Sequence, residues 1–109
     1  MAATYKVLGQ SAPSATTATS LYTVPASTST IVSTLTVCNR DTTAGTFRIA
    51  VRPAGATLAN LHYVVYDSSI AANDAVTFTL GITLATTDGV TIYASSANMS
   101  FNVFGSELT

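Results

Sequence analysis

The regular alternation of apolar and polar residues is the feature that most constrains how this chain can fold. In the stretch VTFTLGITL, the apolar residues from Val76 to Leu84 occupy every second position, and Thr or Gly occupies each position between them. A repeat of two puts apolar side chains on one face of a β-strand, whereas an amphipathic helix repeats about every 3.6 residues. Because the alternation continues through Gly81, the stretch predicts one unbroken strand.

Further segments rich in β-branched and aromatic residues predict the other strands of the fold. They are TYKVLG, SLYTVP, STIVSTLTVCN, TFRIAVR, LHYVVYD, VTIYA and NMSFNVFG. The third of these is apolar on both faces toward its end, which favours a central strand. RDTTAG and TTDG are typical of hairpin turns, and helix is expected at most as a single turn around Leu58 to Leu61. The chain is therefore predicted to be all-β, an antiparallel β-sandwich or a jelly-roll-like barrel of about eight short strands.

The length of 109 residues predicts one domain. Residues 21–109 are expected to form the β-sandwich. Residues 1–20 are expected to form an N-terminal strand or arm followed by a linker rich in Ser, Thr and Ala, whose low complexity is typical of a flexible segment. If this arm reaches a neighbouring subunit, Tyr5 and Lys6 are its candidate contact residues.

The surface of this protein is expected to be unusually neutral. Only 8% of the residues are charged and the formal net charge is -1, while the chain contains 20 Thr, 12 Ser and 17 Ala. A weakly charged surface gives little protection against association, so we expect a protein that is packed against partners. These partners are expected to include further copies of the same chain, in a homo-oligomer. No signal peptide, membrane-length apolar run or basic cluster is present in the sequence, so neither a membrane nor a nucleic acid is an expected partner.

Few residues in this sequence are suited to catalysis or metal binding. His62 is the sole histidine and Cys38 the sole cysteine, and most of the acidic residues fall in or beside predicted turns. No nucleophile motif, phosphate-binding loop or CxxC pair accompanies them, so we expect a protein that is not an enzyme and needs no metal or other cofactor. Cys38 is expected to be a small buried residue, and His62, on a half-buried strand, a surface or interface residue.

Two of the four basic residues, Arg48 and Arg52, lie on the same predicted strand, on its outward face. One interpretation is a solvated face that discourages pairing at a sheet edge. The other is an interface, because the planar guanidinium group can hold a carboxylate through two hydrogen bonds and so fix the register of a docked partner. Arg40, at the neighbouring predicted hairpin, is a candidate for the same interface.

From about residue 20 to residue 108 the sequence resembles small virion structural proteins of tailed bacteriophages, those of cyanophages in particular. The resemblance depends on the segments LYTVP, VCNR, FRIAVRPAG, GVTIYAS and FNVFGSE. It implies a β-rich, non-enzymatic component of the virus particle, made in the host cytoplasm. It does not by itself decide between the capsid and the tail.

Of the virion components that the resemblance allows, a single domain favours a capsid decoration (cement) protein, because a fibre protein usually has an attachment region and a shaft as well. Such a protein would bind the major capsid protein on the outer shell and stabilise contacts between capsomers, often as a trimer. The alternative is a tail, baseplate or fibre-associated component. It would have a receptor- or glycan-binding face that uses Tyr63 or Tyr66 and His62.

Overall fold

The computed structural model describes residues 2–109, and their regular secondary structure is almost entirely β. Nine strands follow one another along this part of the chain: β1 (Ala3–Ser11), β2 (Thr19–Thr23), β3 (Ser29–Asn39), β4 (Gly45–Arg52), β5 (Tyr63–Ile70), β6 (Ala75–Phe78), β7 (Ile82–Leu84), β8 (Gly89–Ala94) and β9 (Met99–Leu108). Two single-turn 3-10 helices, Pro53–Gly55 and Asn60–His62, lie between β4 and β5. Within residues 2–109, no helix is long and apolar enough to span a bilayer.

The strands form two antiparallel sheets that pack face to face. Sheet A has the order β1-β9-β3-β6, with β7 also paired to β3, and sheet B has the order β2-β8-β4-β5. When β6 and β7 are counted as one interrupted strand, every connection except β4 to β5 crosses from one sheet to the other. This is the strand order of a jelly roll, so the predicted all-β sandwich is confirmed. The turns RDTTAG and TTDG cross between the sheets, and the expectation that they close hairpins was wrong.

The ninth strand arises because VTFTLGITL is interrupted in the middle. Phe78 of β6 pairs with Leu35, and Ile82 of β7 pairs with Val32, so this edge has one residue more than the facing part of β3. Gly81 takes a positive φ of 66° at this irregularity, and Leu80 is half exposed. The prediction of one unbroken strand was therefore wrong, although the alternation on either side was read correctly.

The inward faces of both sheets supply the hydrophobic core. Phe47 of sheet B lies at its centre, with ring centroids 6.4 Å from Phe101 and 5.8 Å from Phe78 in edge-to-face arrangements. The other core side chains that are almost fully buried include Leu35, Ile49, Ile70, Ile92, Met99, Val24, Val37, Val90 and Val103. Most occupy alternate positions of their strands, as the sequence pattern predicts.

The N-terminal segment is part of the sandwich. β1 pairs antiparallel with β9 along its length, and Ala2 and Thr109 exchange two backbone hydrogen bonds of 2.9 Å. Residues 12–18 then carry the chain from sheet A to sheet B. The predicted arm is thus an edge strand of sheet A, and its linker is a crossover between the sheets.

A buried asparagine joins the turns at one end of the sandwich. The Asn39 side chain is 1% exposed, and its Nδ2 donates to the carbonyl oxygens of Thr43, Ala71 and Ile70 at 3.0, 3.2 and 3.4 Å. Its Oδ1 accepts a hydrogen bond of 3.0 Å from the backbone N–H of Asp41. One amide therefore connects the β3–β4 turn to the end of β5.

Candidate functional site

The residues that the sequence singled out as interface candidates are spread over several regions of the fold. Tyr5 and Lys6 lie on β1, and Arg48 and Tyr66 lie on the outer face of sheet B. Arg52 and His62 lie at the ends of the β4–β5 connection, and Arg40 lies at the β3–β4 turn. The structure thus does not bring them together into one site.

The outer face of sheet A carries an exposed apolar groove. One row across the sheet consists of Tyr5 of β1, Ser106 of β9 and Ile31 of β3. Because the central Ser106 is small, it leaves a trough between the large side chains of Tyr5 and Ile31. Tyr5 is 84% exposed and Ile31 44%. In the next row Val7, 47% exposed, pairs with Phe104, which also lines the groove. We call Tyr5, Val7, Ile31 and Phe104 the sheet A face.

The four large side chains of the sheet A face are uncharged, although Lys6 also lines the groove and Arg40 reaches the same outer surface farther along β9, at Ser100. Lys6 and Glu107 are the charged residues on the strands of sheet A, and both occupy positions of the inward parity. The Lys6 Nζ atom donates to Glu107 Oε1 at 3.0 Å. An exposed groove lined by large uncharged side chains is typical of a surface that is covered by a partner.

Glu107 ties the two sheets together at this end of the sandwich. The hydroxyl of Tyr22, a buried residue of β2, donates to Glu107 Oε2 at 2.6 Å and lies 2.7 Å from Thr30 Oγ1. Burial, followed by the bond to Glu107, raises the pKa of Tyr22 to about 12. The Tyr22 and Lys6 hydrogen bonds hold the pKa of Glu107 below its usual range. Sequence reasoning missed this pair, which no local motif marks.

The outer face of sheet B carries a cluster of tyrosines around Arg48. The guanidinium carbon of Arg48 lies 4.2 Å from the ring centroids of both Tyr66 and Tyr93, and 6.0 Å from that of Tyr63. Its Nε and Nη2 donate to the two carboxylate oxygens of Asp67 at 2.6 and 3.2 Å. This pairing lowers the pKa of Asp67 and raises that of Arg48 above its usual value. We call these five residues the tyrosine cluster.

A bulge in β5 creates this arrangement. Phe47 pairs with Ser68 and Ile49 with Val65, so two residues of β5, Tyr66 and Asp67, lie opposite Arg48 alone. Asp67 has a positive φ of 49° there. Bulges redirect side chains, and this one places an aromatic ring and a carboxylate on the same side of one guanidinium group. The sequence predicted the outward direction of Arg48 but gave no sign of the bulge.

An open groove of about 450 Å³ lies beside the tyrosine cluster. Asn60, Tyr63 and Tyr66 line it, and Tyr66 is 57% exposed. The rings of Tyr63 and Tyr66 meet edge to face with centroids 4.9 Å apart. The groove therefore combines aromatic surface with a polar amide.

Arg52 and Arg40 bind backbone carbonyls of this same chain. Arg52 donates through Nε to Ala56 O at 2.6 Å and through Nη2 to Gly55 O at 3.3 Å, which fastens the β4–β5 connection. Arg40 donates through Nη2 to Ala97 O at 3.4 Å, and through Nε to the hydroxyl of Ser100 at 2.8 Å. β4 lies between β8 and β5, so the interpretation that its arginines guard a sheet edge was wrong.

His62 lies in the second 3-10 helix, where it is 8% exposed. Its Nδ1 accepts a hydrogen bond of 3.0 Å from the backbone N–H of Ala59. Its expected place on a half-buried strand was therefore wrong, because the chain turns before β5 begins. Cys38 is only half-buried, with the outward parity of β3, and the expectation of a buried thiol was also wrong.

From Ala2 to Thr109, no group of three or more His, Cys, Asp or Glu residues is close enough to hold a metal ion. The chain is defined structurally as a β-sandwich with an apolar groove on the outer face of sheet A and an aromatic, charge-paired cluster on the outer face of sheet B. No protein-family model, curated protein or solved structure matches it.

Proposed function

We propose that this chain is a non-enzymatic structural protein of a bacteriophage virion, and specifically a capsid decoration protein. It would bind the major capsid protein on the outside of the shell and stabilise contacts between capsomers, as a homo-oligomer in which a trimer is favoured. The observation that carries this proposal is the sheet A face, an exposed apolar groove whose large uncharged side chains come from the edge strand β1 and from β3 and β9.

The physical basis of such a role is repetition. Burying the sheet A face against a shell removes Tyr5, Val7 and Ile31 from water; Tyr5 would contribute about 2 kcal/mol, and Val7 and Ile31, which are already about half buried, about 1 kcal/mol each. One copy then binds modestly, while many copies on a closed shell hold many capsomer contacts at once. The jelly-roll order supports the proposal as an architectural likeness, since viral capsid domains are among the proteins that use it.

The engagement of Arg48 and Arg52 within the chain changes which residues we expect at the shell. Their guanidinium groups already bind Asp67 and the β4–β5 connection, so replacing them would alter the fold of sheet B as well as any interface. Attachment is therefore better tested on sheet A, where Tyr5 and Ile31 make no side-chain hydrogen bond within residues 2–109.

The test begins with the copy number of the protein in purified virions, measured by quantitative mass spectrometry against the major capsid protein. Hundreds of copies in simple ratio to the capsid subunit are expected. A dozen or so copies would instead favour the alternative, a tail, baseplate or fibre-associated component, for which the groove on sheet B is the specific supporting observation. Absence from the particle would refute both forms of the proposal.

The attachment surface is tested by adding back purified variants to particles that lack the protein. Tyr5→Ser combined with Ile31→Ser is expected to weaken attachment at least about tenfold, which corresponds to about 1.4 kcal/mol. Leu61→Ser is the matched control, because Leu61 is 82% exposed but lies in the β4–β5 connection. If the control weakens attachment as much as the double variant does, the sheet A face is not the attachment surface.

A further inference from the structure

We propose that the groove beside the tyrosine cluster binds a neutral carbohydrate. The tyrosine cluster and Asn60 supply the chemistry that sugar recognition requires. Pyranose rings present a face of C–H groups that packs on aromatic rings, and hydroxyl groups that pair with amides and carboxylates. Tyr66 offers the exposed ring and Asn60 the polar group that lines the groove, while the half-exposed carboxylate of Asp67 belongs to the adjoining tyrosine cluster. This inference concerns sheet B and does not depend on the attachment surface proposed for sheet A.

The charge of the site selects a neutral ligand. Arg48 and Asp67 hold each other through two hydrogen bonds, so the positive and negative charges cancel within the tyrosine cluster. Within residues 2–109, the side chains that line the groove itself are all uncharged. A sialylated or phosphorylated ligand would meet no unpaired cation there, whereas uncharged hydroxyls would find acceptors and donors.

The site is also held in place before any ligand arrives. Arg48 lies between the rings of Tyr66 and Tyr93, and Tyr63 braces Tyr66 edge to face. The Arg48 side chain is only 22% exposed, so its own contribution is mainly to fix these rings. A fixed aromatic surface loses little conformational entropy on binding, which matters for weak ligands such as sugars.

Asn60 is the group left free to meet a ligand. Among residues 2–109 its side-chain amide has no hydrogen-bond partner, and the residue is exposed at the rim of the groove. An amide offers both a donor and an acceptor, which matches adjacent hydroxyls of a sugar ring. The volume of about 450 Å³ is within the range of small-ligand sites and leaves room for one or two sugar rings.

The experiment screens the purified protein on an array of neutral, sialylated and sulfated glycans, with a proline-rich peptide as a further probe. The strongest neutral glycan is then titrated into isotope-labelled protein by NMR, with dissociation constants of about 0.1–1 mM expected. Shifts should be confined to residues around Tyr66 and Asn60. Binding confined to acidic glycans or to the peptide, or no binding to any neutral glycan at millimolar concentration, overturns the proposal.

Variants separate the site from the fold. Tyr66→Ala is expected to weaken binding at least tenfold, and Tyr66→Phe, which keeps the ring, by less than about threefold. Asn60→Ala is expected to weaken binding several-fold without disturbing the tyrosine cluster, because Asn60 makes no side-chain hydrogen bond in the described chain. Tyr5→Ala, on the opposite sheet, is the control and should bind as the wild type does. Unchanged binding in both Tyr66→Ala and Asn60→Ala refutes the site.

Discussion

Replacing Asn39 by Asp is expected to destabilise the fold strongly although the side chain keeps its size and shape. The amide Nδ2 donates to the carbonyl oxygens of Thr43, Ala71 and Ile70. A carboxylate cannot donate, so these bonds are lost and a buried negative charge faces carbonyl oxygens. The amide has two N–H groups, one of which is shared between two of these carbonyls, so the loss is about 1–1.5 kcal/mol for each N–H; with the cost of unpaired buried groups added, it comes to about 4 kcal/mol.

The assay is equilibrium unfolding in urea, followed by far-ultraviolet circular dichroism or tyrosine fluorescence because the chain has no Trp. With a slope of about 2 kcal/mol per molar, the Asn39→Asp midpoint should fall by about 2 M. The loss should become smaller as the pH falls, because a protonated carboxyl group regains one donor. Asn39→Ala, which cannot regain a donor, should lose about 3 kcal/mol with little dependence on pH.

Asn73→Asp is the matched control, because Asn73 is exposed, has a positive φ of 53° that Asp also tolerates, and makes no side-chain hydrogen bond in the described residues. It should change the free energy of unfolding by less than about 0.5 kcal/mol. If Asn39→Asp stays within about 1 kcal/mol of the wild type, or if its loss does not change between pH 7 and pH 4, the donor role of this amide is refuted.

Two further pairs of variants test the packing and the electrostatics of the sandwich. Gly105→Ala would place a Cβ against the backbone of β3 at Ile31, so we expect the free energy of unfolding to fall by at least about 3 kcal/mol. Gly81→Ala meets open space but keeps a positive φ, so we expect a loss of only about 1 kcal/mol. Urea unfolding measures both losses, and equal losses would contradict this reasoning. Glu107 has a lowered pKa in the folded state, so the stability that it contributes is present above its unfolded pKa and is lost as the pH falls through its folded pKa. Tyr22 has a raised pKa, so its contribution is present below about pH 10 and is lost as the pH rises through about 12. Glu107→Gln should flatten the acid side of the pH–stability curve and Tyr22→Phe the alkaline side, and curves that match the wild type on those sides would refute the assignment.

The fold class was predictable because alternation is a direct consequence of strand geometry. The pattern located the eight strand segments, and the apolar stretch ending at Cys38 was correctly read as the central strand β3. The break in VTFTLGITL was not predictable, because the polar–apolar parity is the same on both sides of Gly81. The crossing connections were also missed, since a turn sequence with Gly is compatible both with a hairpin and with an arch between sheets.

The candidate surfaces were less predictable than the fold, because each depends on which strands become neighbours. The trough between Tyr5 and Ile31 exists only because Ser106 of the last strand lies between them. The tyrosine cluster likewise needs the bulge that puts Tyr66 and Asp67 opposite Arg48. Alternation gives the face on which each residue lies, while register decides its neighbours.

The two surfaces are on opposite sides of one sandwich, and this placement connects the two proposals. The inner faces of the sheets meet in the core around Phe47 and Phe101, so the outer faces of sheets A and B point in opposite directions. A copy attached to a shell through the sheet A face would therefore turn the groove at Tyr66 toward the surrounding medium. Attachment and sugar binding would then use different residues and would not compete, so each can be present or absent without the other.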